Sequence, residues 1–394
     1  MKQNKKTLYW LHSHFLYWMG GTKYVFEVLR RLSKEYNIIA IVENSSDYSK
    51  KIYQDAGIEL ISLNKLSSNS LFYWLTFPYQ IIDTFLKIKK KLTDNSVKII
   101  VGMFPMNVVA LLLKRPYFQL CFEPFAFFHD PDFTAGFPVI KRLFIGILKV
   151  LYSHLDIVST RGSKTIITLN QVTQKGIKNI YNRDSIPVYT GIDIKHFHPY
   201  VSPELKRKYA KQDVIIHSTD YTPVKGTDKM INIFAKVKKL CPKAVLLITS
   251  TIKNPTAIKN LEEQAKKLGI RNSVKFLGFV DYDILPQLYS LSRVLVQCSF
   301  SERSGTTSMA LPVKEAMACG TWCIRSPVTT EDVIDGVTGY LVDPRNKEQM
   351  VIKIVQVLGL DSEIYNRGSK LARSTIVNRY SWDHTVEDIS SIIK

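Results

Sequence analysis

The chain has 394 residues, which exceeds one ordinary core and sets a prior of two domains near 200 residues each. With 45% apolar and 22% charged residues it is a folded chain and excludes a disordered one. Its formal net charge of +20 is carried by both halves, residues 1–200 holding 26 Lys/Arg against 14 Asp/Glu, and such a field attracts phosphorylated ligands, anionic membrane or nucleic acid. No basic-aromatic recognition module is present, so nucleic acid is not expected. No stretch reaches the ~18 uninterrupted apolar residues of a membrane-spanning helix. Leu8 to Leu11 is too short for a signal-peptide core. Five cysteines, an odd number in apolar contexts, fit reduced thiols. The expectation is therefore a cytoplasmic protein. Cys319 and Cys323 lack a second Cys/His pair nearby, so no metal site is expected.

In chain order, Leu8 to Leu11 reads as a buried strand running into His12-Ser13-His14 and then Gly20-Gly21. Val25, Phe26, Val28, Leu29 and Leu32 follow at helical spacing, and Ile38 to Val42 is a second strand. Strand, glycine turn, helix, strand is a βαβ unit and the start of a parallel sheet. Further strands are expected at Leu60–Leu63, Val97–Val101, Phe118–Phe122, Ile157–Thr160 and Ile186–Tyr189. Two helical stretches between them, Leu71 to Lys91 and Phe137 to Leu155, are apolar and aromatic with basic edges. That composition suits either a core helix with solvated lysines or a segment resting on an anionic membrane surface.

A polar run, Ser202 to Gln212, marks the linker. A second alternation follows, with strands at Val214–His217, Val245–Ile248, Val274–Leu277, Val294–Val296 and Trp322–Ile324. Between the last two lies a short helix, with Pro312 suited to its first turn and Gly320 to a left-handed residue just past its end. Glu315 sits one turn inside it, and a carboxylate on so apolar a helix calls for a partner. Ser381 is the expected N-cap of a last helix with Trp382, Val386, Ile389 and Ile393 on one stripe.

Ligands of open parallel sheets bind beyond the carboxyl ends of the strands. The loops to watch are thus 12–22, 122–133, 217–227 and 297–311. Lys225 can place a charge on a phosphate, and Gly226 permits close backbone approach. Thr306, Thr307 and Ser308 supply hydroxyls ahead of a helix N-terminus that Leu311 opens. The oxygens of Glu315 match the vicinal hydroxyls of a ribose. Gly20 and Gly21 can approach a diphosphate. Together these describe a site for a sugar joined to a nucleoside diphosphate.

The runs Phe276-Leu277-Gly278-Phe279-Val280, Leu285-Pro286-Gln287-Leu288-Tyr289, Leu311-Pro312-Val313-Lys314-Glu315-Ala316-Met317-Ala318-Cys319-Gly320 and Gly336-Val337-Thr338-Gly339-Tyr340-Leu341-Val342 resemble, in order and spacing, glycosyltransferase family 4. The resemblance implies an α/β chain of the GT-B fold: two Rossmann-like parallel-sheet domains facing a central cleft, with the C-terminal helix crossing back to the N-terminal domain. It places an acceptor-binding domain at 1–200, completed by helix 376–394, and a nucleotide-sugar-binding domain at 201–375. It implies a retaining hexosyl- or related transferase, moving a sugar from a nucleoside diphosphate sugar to a glycan or lipid-linked acceptor, in cell-surface polysaccharide or glycolipid synthesis. A nucleotide-sugar epimerase, or a donor-binding protein without turnover, is the alternative on the same fold.

By position, Glu315 resembles the ribose-holding glutamate of the family, Lys225 the lysine on the donor phosphates, and Gly20 and Gly21 the glycine loop over the diphosphate. The family needs no metal or other cofactor. Two positions depart from the pattern. Thr307 stands where a first glutamate is expected, and Asp220 where a phosphate-binding arginine is expected. Phe122-Glu123-Pro124 lies where many members place a catalytic histidine, so Glu123 or His129 is the catalytic candidate beside Lys225. The other reading of His129 is a surface-loop histidine.

Overall fold

The computed structural model describes residues 5–17, 20–66, 70–92, 98–135, 137–250, 253–299, 311–327 and 332–394. The elements, in chain order, are β1 (Thr7–Phe15), α1 (Gly20–Leu32), β2 (Asn37–Ser45), α2 (Asp47–Asp55), β3 (Glu59–Ser62), α3 (Leu71–Leu75), α4 (Phe77–Lys91), β4 (Lys98–Val101), α5 (Met106–Leu112), β5 (Phe118–Cys121), α6 (Ala126–His129), α7 (Pro131–Ala135), α8 (Val139–Gly162), β6 (Thr165–Thr168), α9 (Gln171–Tyr181) and β7 (Ile186–Pro187). There follow α10 (Pro203–Tyr209), β8 (Asp213–Thr219), α11 (Thr227–Leu240), β9 (Ala244–Ser250), α12 (Pro255–Lys267), β10 (Val274–Phe279), α13 (Leu285–Leu291), β11 (Val294–Val296), α14 (Leu311–Ala318), β12 (Trp322–Arg325), β13 (Gly339–Leu341), α15 (Lys347–Leu358), α16 (Ser362–Arg379) and α17 (Trp382–Ile393).

The chain forms two compact units. One takes in residues up to Thr190 together with Trp382–Lys394, and the other the described residues from Gly191 to Ser381. The first holds a seven-stranded parallel sheet of order β3-β2-β1-β4-β5-β6-β7. The second holds a six-stranded parallel sheet of order β10-β9-β8-β11-β12-β13. These are the two Rossmann-like sheets expected from the alternation. Each order reverses once, at β1/β4 and at β8/β11, and such switch points open a crevice beyond the strand ends.

The cores follow from burial on both sheet faces, where parallel strands read as near-continuous apolar runs. Leu8, Trp10 and Leu11 of β1 and Val214, Ile215 and Ile216 of β8 are all buried. Helix α17 belongs to the first unit and lies on α1. Trp382 packs edge-on to Tyr24 at 5.6 Å and beneath the Arg31 guanidinium at 5.5 Å. Thr385 Oγ1 donates to the Tyr189 carbonyl at 2.8 Å, and Ser390 Oγ to Glu35 at 2.9 Å.

Three expected elements differ. Ile157–Thr160 is not a strand but the end of α8, where Asp156, Ser159 and Thr160 form a buried polar face that apolar periodicity does not register; the strand is β6, eight residues on. Leu71–Lys91 is two helices, broken at Thr76, whose hydroxyl turns back to the Phe72 carbonyl at 2.8 Å ahead of Pro78. The expected Phe137–Leu155 helix runs over Val139–Gly162, long and apolar enough by length and composition to cross a membrane.

Candidate functional site

In the second unit the site grows from the switch point. Strand β8 ends at Thr219, and the chain turns through Lys225 and Gly226 into α11. Gly226 caps that helix with φ +64, and a Cβ there would lie 2.7 Å from the Cys298 carbonyl oxygen. Both facts require glycine, and they seat the Lys225 turn directly on the end of β11. Beneath it His217 donates from Nδ1 to the Val296 carbonyl at 2.8 Å, while Nε2 accepts from Thr227 Oγ1 at 3.1 Å. Burial pushes the His217 imidazole down to about 4, so it stays neutral and ties β8, β11 and α11 together. Thr219 and Thr227 hydroxyls meet at 2.7 Å in the same layer.

Lys225 Nζ stands 3.8 Å from Asp220 Oδ2, with both side chains partly exposed. Asp220 also closes its own turn, accepting from the Thr222 amide at 3.0 Å and hydroxyl at 2.6 Å. The departure from the expected arginine therefore has a structural counterpart: a carboxylate facing the lysine.

Glu315 lies on α14 as expected, with Pro312 in the first turn and Gly320 at φ +80 just past the end. Leu311, half-buried, opens the helix. The Tyr289 hydroxyl donates to Glu315 Oε2 at 3.2 Å and lies 3.3 Å from Ser218 Oγ, which is 2.8 Å from Thr249 Oγ1. This hydrogen-bonded chain links the carboxylate to the carboxyl ends of β8 and β9. Burial, then the Glu315 charge, holds the Tyr289 phenol well above its usual range, so it remains a donor. Sequence reasoning quoted Tyr289 only as part of a motif; its signal was a tyrosine on the apolar face of a short helix, where a buried hydroxyl needs a partner.

In the first unit Gly20 and Gly21 open α1, and a Cβ on Gly21 would meet the Phe122 ring at 3.6 Å. This brings the glycine pair beside the end of β5, where Glu123 follows Phe122. Burial, and next the charge of Asp130, pushes the Glu123 carboxyl up to about 7. His129 is not a surface-loop histidine. It ends α6 with its side chain 9% exposed, and Nε2 is 2.8 Å from Asp156 Oδ2. Asp156 also accepts from Tyr181 Oη at 2.8 Å and Asn107 Nδ2 at 2.9 Å. Its partners lie on three other helices, α5, α6 and α9, so sequence spacing could not pair it with His129.

Two further groups on this sheet went unremarked as site residues. Strand β1 continues past Leu11 through His12 and His14, and burial, then the neighbouring His14, pushes His12 down to about 3. Glu43, buried near the end of β2, accepts from Tyr73 Oη at 2.8 Å, and burial pushes it up to about 7.

Thr306, Thr307 and Ser308 lie outside the described residues. Among the described residues no group of three His, Cys, Asp or Glu side chains converges to hold a metal ion.

Comparison with known proteins adds to this geometry. Residues 202–375, just under half of the chain, match the family model described as glycosyl transferases group 1. An uncharacterised glycosyltransferase of Methanocaldococcus jannaschii is 28% identical over 256 residues, 61% of this chain and 62% of its own length. A D-inositol 3-phosphate glycosyltransferase of Mycolicibacterium vanbaalenii is 32% identical over 130 residues, 32% and 27% of the two chains. The chain thus spans less than two thirds of the length of these curated relatives. Among solved structures, a glycosyltransferase from Rickettsia africae superposes with TM-score 0.76 at 18% identity, covering 100% of this chain and 98% of that one. HepE of Anabaena, in complex with UDP, superposes with TM-score 0.74 at 18% identity, covering 98% and 99%. The fold is GT-B, and residues 202–375 match the glycosyl transferases group 1 model.

Proposed function

We propose that this GT-B chain transfers a sugar from a nucleoside diphosphate sugar to a hydroxyl of a glycan or lipid-linked acceptor, with retention at the anomeric carbon. One observation carries the reading. Around the carboxyl end of β8 a lysine, a glycine-enforced turn and a carboxylate held by Tyr289 come together at the switch point of a parallel sheet. The chemistry to be served is expulsion of a diphosphate while an oxocarbenium-like centre forms. Lys225 stabilises the charge that develops on the leaving phosphate, and Glu315 holds the ribose through its two oxygens. Gly20 and Gly21 open α1 with backbone that a phosphate group can approach closely. Glu123, its carboxyl pushed up to about 7 by burial, is the acid–base group of the first unit. His129 is held in place by Asp156 within the buried network of the first unit. The five free cysteines support a reducing, cytoplasmic compartment.

Glu315→Ala and Lys225→Ala should each weaken nucleoside diphosphate binding by about 1–3 kcal/mol, read by calorimetry. Unchanged binding in both sinks the donor-site assignment. A transfer assay, with the product anomer read by NMR, tests retention. Donor binding without transfer or hydrolysis would favour the alternative of a binding protein, to which the Asp220 carboxylate facing Lys225 lends support.

A further inference from the structure

Helix α8 turns its apolar side outward. Over residues 139–155 only Ile145 and Leu148 are buried, while Ile140 and Val150 are 83% and 82% exposed. Ile140, Leu143, Ile147 and Val150 follow one another at spacings of three and four, so they form one face. The α3–α4 pair beside it behaves alike. Phe77 of α4 meets Tyr152 of α8 at 4.6 Å, and Phe72, Leu75, Tyr79 and Ile82 are exposed. A monomer rarely leaves apolar surface of this extent in water unless something covers it.

Charge identifies what covers it. Lys141, Arg142 and Lys149 are exposed on α8, and Lys89, Lys90 and Lys91 end α4. No Asp or Glu occurs between residues 133 and 155. An apolar face rimmed by cations matches a negatively charged lipid surface, with the long basic side chains reaching the headgroups. A second copy of the chain would set the same cations against one another. Helix α8 is long enough to span a bilayer, but its last turns are pinned inside the first unit: Asp156 is held by Asn107, Tyr181 and His129. We propose that the exposed faces of α8 and α3–α4 dock this protein on an anionic membrane, with α8 lying in the interface. The docking stands independently. That the acceptor is lipid-borne rests in addition on the transferase reading, and docking would hold the first unit against the surface that presents such an acceptor.

The test is flotation with vesicles of phosphatidylcholine alone and of phosphatidylcholine with about one third phosphatidylglycerol, at low salt. The wild-type protein should float with the anionic vesicles and much less with the neutral ones. The triple variant Ile140→Ser, Leu143→Ser, Val150→Ser changes only exposed side chains and should remain at the bottom. The variant Lys141→Gln, Arg142→Gln, Lys149→Gln should lose about fivefold in partitioning per residue. Melting temperature should hold in both. Wild-type protein that floats with neither vesicle, or an apolar triple variant that floats as well as wild type, overturns the proposal. A wild-type dimer in light scattering that the triple variant dissolves assigns the face to a second copy and also overturns it. Nucleoside diphosphate calorimetry on the same preparations separates the two readings: flotation without donor binding removes the lipid-borne acceptor but keeps the docking.

Discussion

Replacing Asp220 by Asn isolates the charge that faces Lys225. The Asn carbonyl oxygen can still accept from the Thr222 amide and hydroxyl, so the turn keeps its hydrogen bonds. What disappears is one negative charge, 3.8 Å from the Lys225 ammonium. Coulomb attraction at that distance is about 1 kcal/mol in water and about 4 kcal/mol at an effective dielectric of 20. Lys225 and Asp220 side chains are 27% and 31% exposed, so solvent screening holds the value toward the lower figure, about 0.2–1 kcal/mol. Lys225 must leave this partner, or share it, to serve a phosphate. Asp220→Asn should therefore tighten nucleoside diphosphate binding by about 1.4- to fivefold in low-salt calorimetry. At about 1 M salt, where the Debye length falls to about 3 Å, the gain should shrink. The double variant Asp220→Asn, Lys225→Ala should bind as weakly as Lys225→Ala alone, because the coupling needs both partners. Asp220→Asn binding no tighter than wild type at low salt, with Lys225→Ala still weakened, would refute the opposition between the two residues.

Two other variants report on the frame. Gly226→Ala puts a Cβ against the Cys298 carbonyl at a left-handed position, and should lower stability by about 1–3 kcal/mol, measured by denaturant melting; a loss below about 0.5 kcal/mol would show that the approach is loose. Glu43 has a folded pKa raised from 4.5 to about 7, so the folded state holds its proton more tightly than the unfolded chain. Stability must then fall as pH rises from about 4.5 to about 7 and stay lower above it, by up to about 3 kcal/mol from this group. Glu43→Gln should remove that part of the fall in melts taken across the range, and an unchanged slope would contradict it.

Much of the fold was legible because parallel strands are buried on both faces and so write unbroken apolar runs. Pro312 and Gly320 bounded α14 correctly because each is suited to one backbone state, and Gly320 adopts φ +80. Reading failed where polar side chains are buried. Asp156, Ser159 and Thr160 gave no apolar stripe, so the end of α8 passed for a strand, and β6 was missed. The backbone positions of three candidate residues were legible: Lys225 and Gly226 stand at a strand-to-helix junction and Glu315 one turn inside α14. Tyr289 and the Asp156–His129 pair were not, since their roles depend on hydrogen bonds spanning 26 and 27 residues.

Helix α17 makes the first unit discontinuous in time as well as in sequence. Its other elements leave the ribosome by Thr190, yet the side chain that covers Tyr24 and Arg31 comes at Trp382. At ordinary synthesis rates that delay is roughly 10–40 s. During it the nascent first unit carries an uncovered α1 face while the second unit is being made. Chaperone binding to translating ribosomes should therefore persist through codon 382 and not end at codon 190, and a chain stopped before Trp382 should be a substrate for quality control even though both sheets are fully encoded.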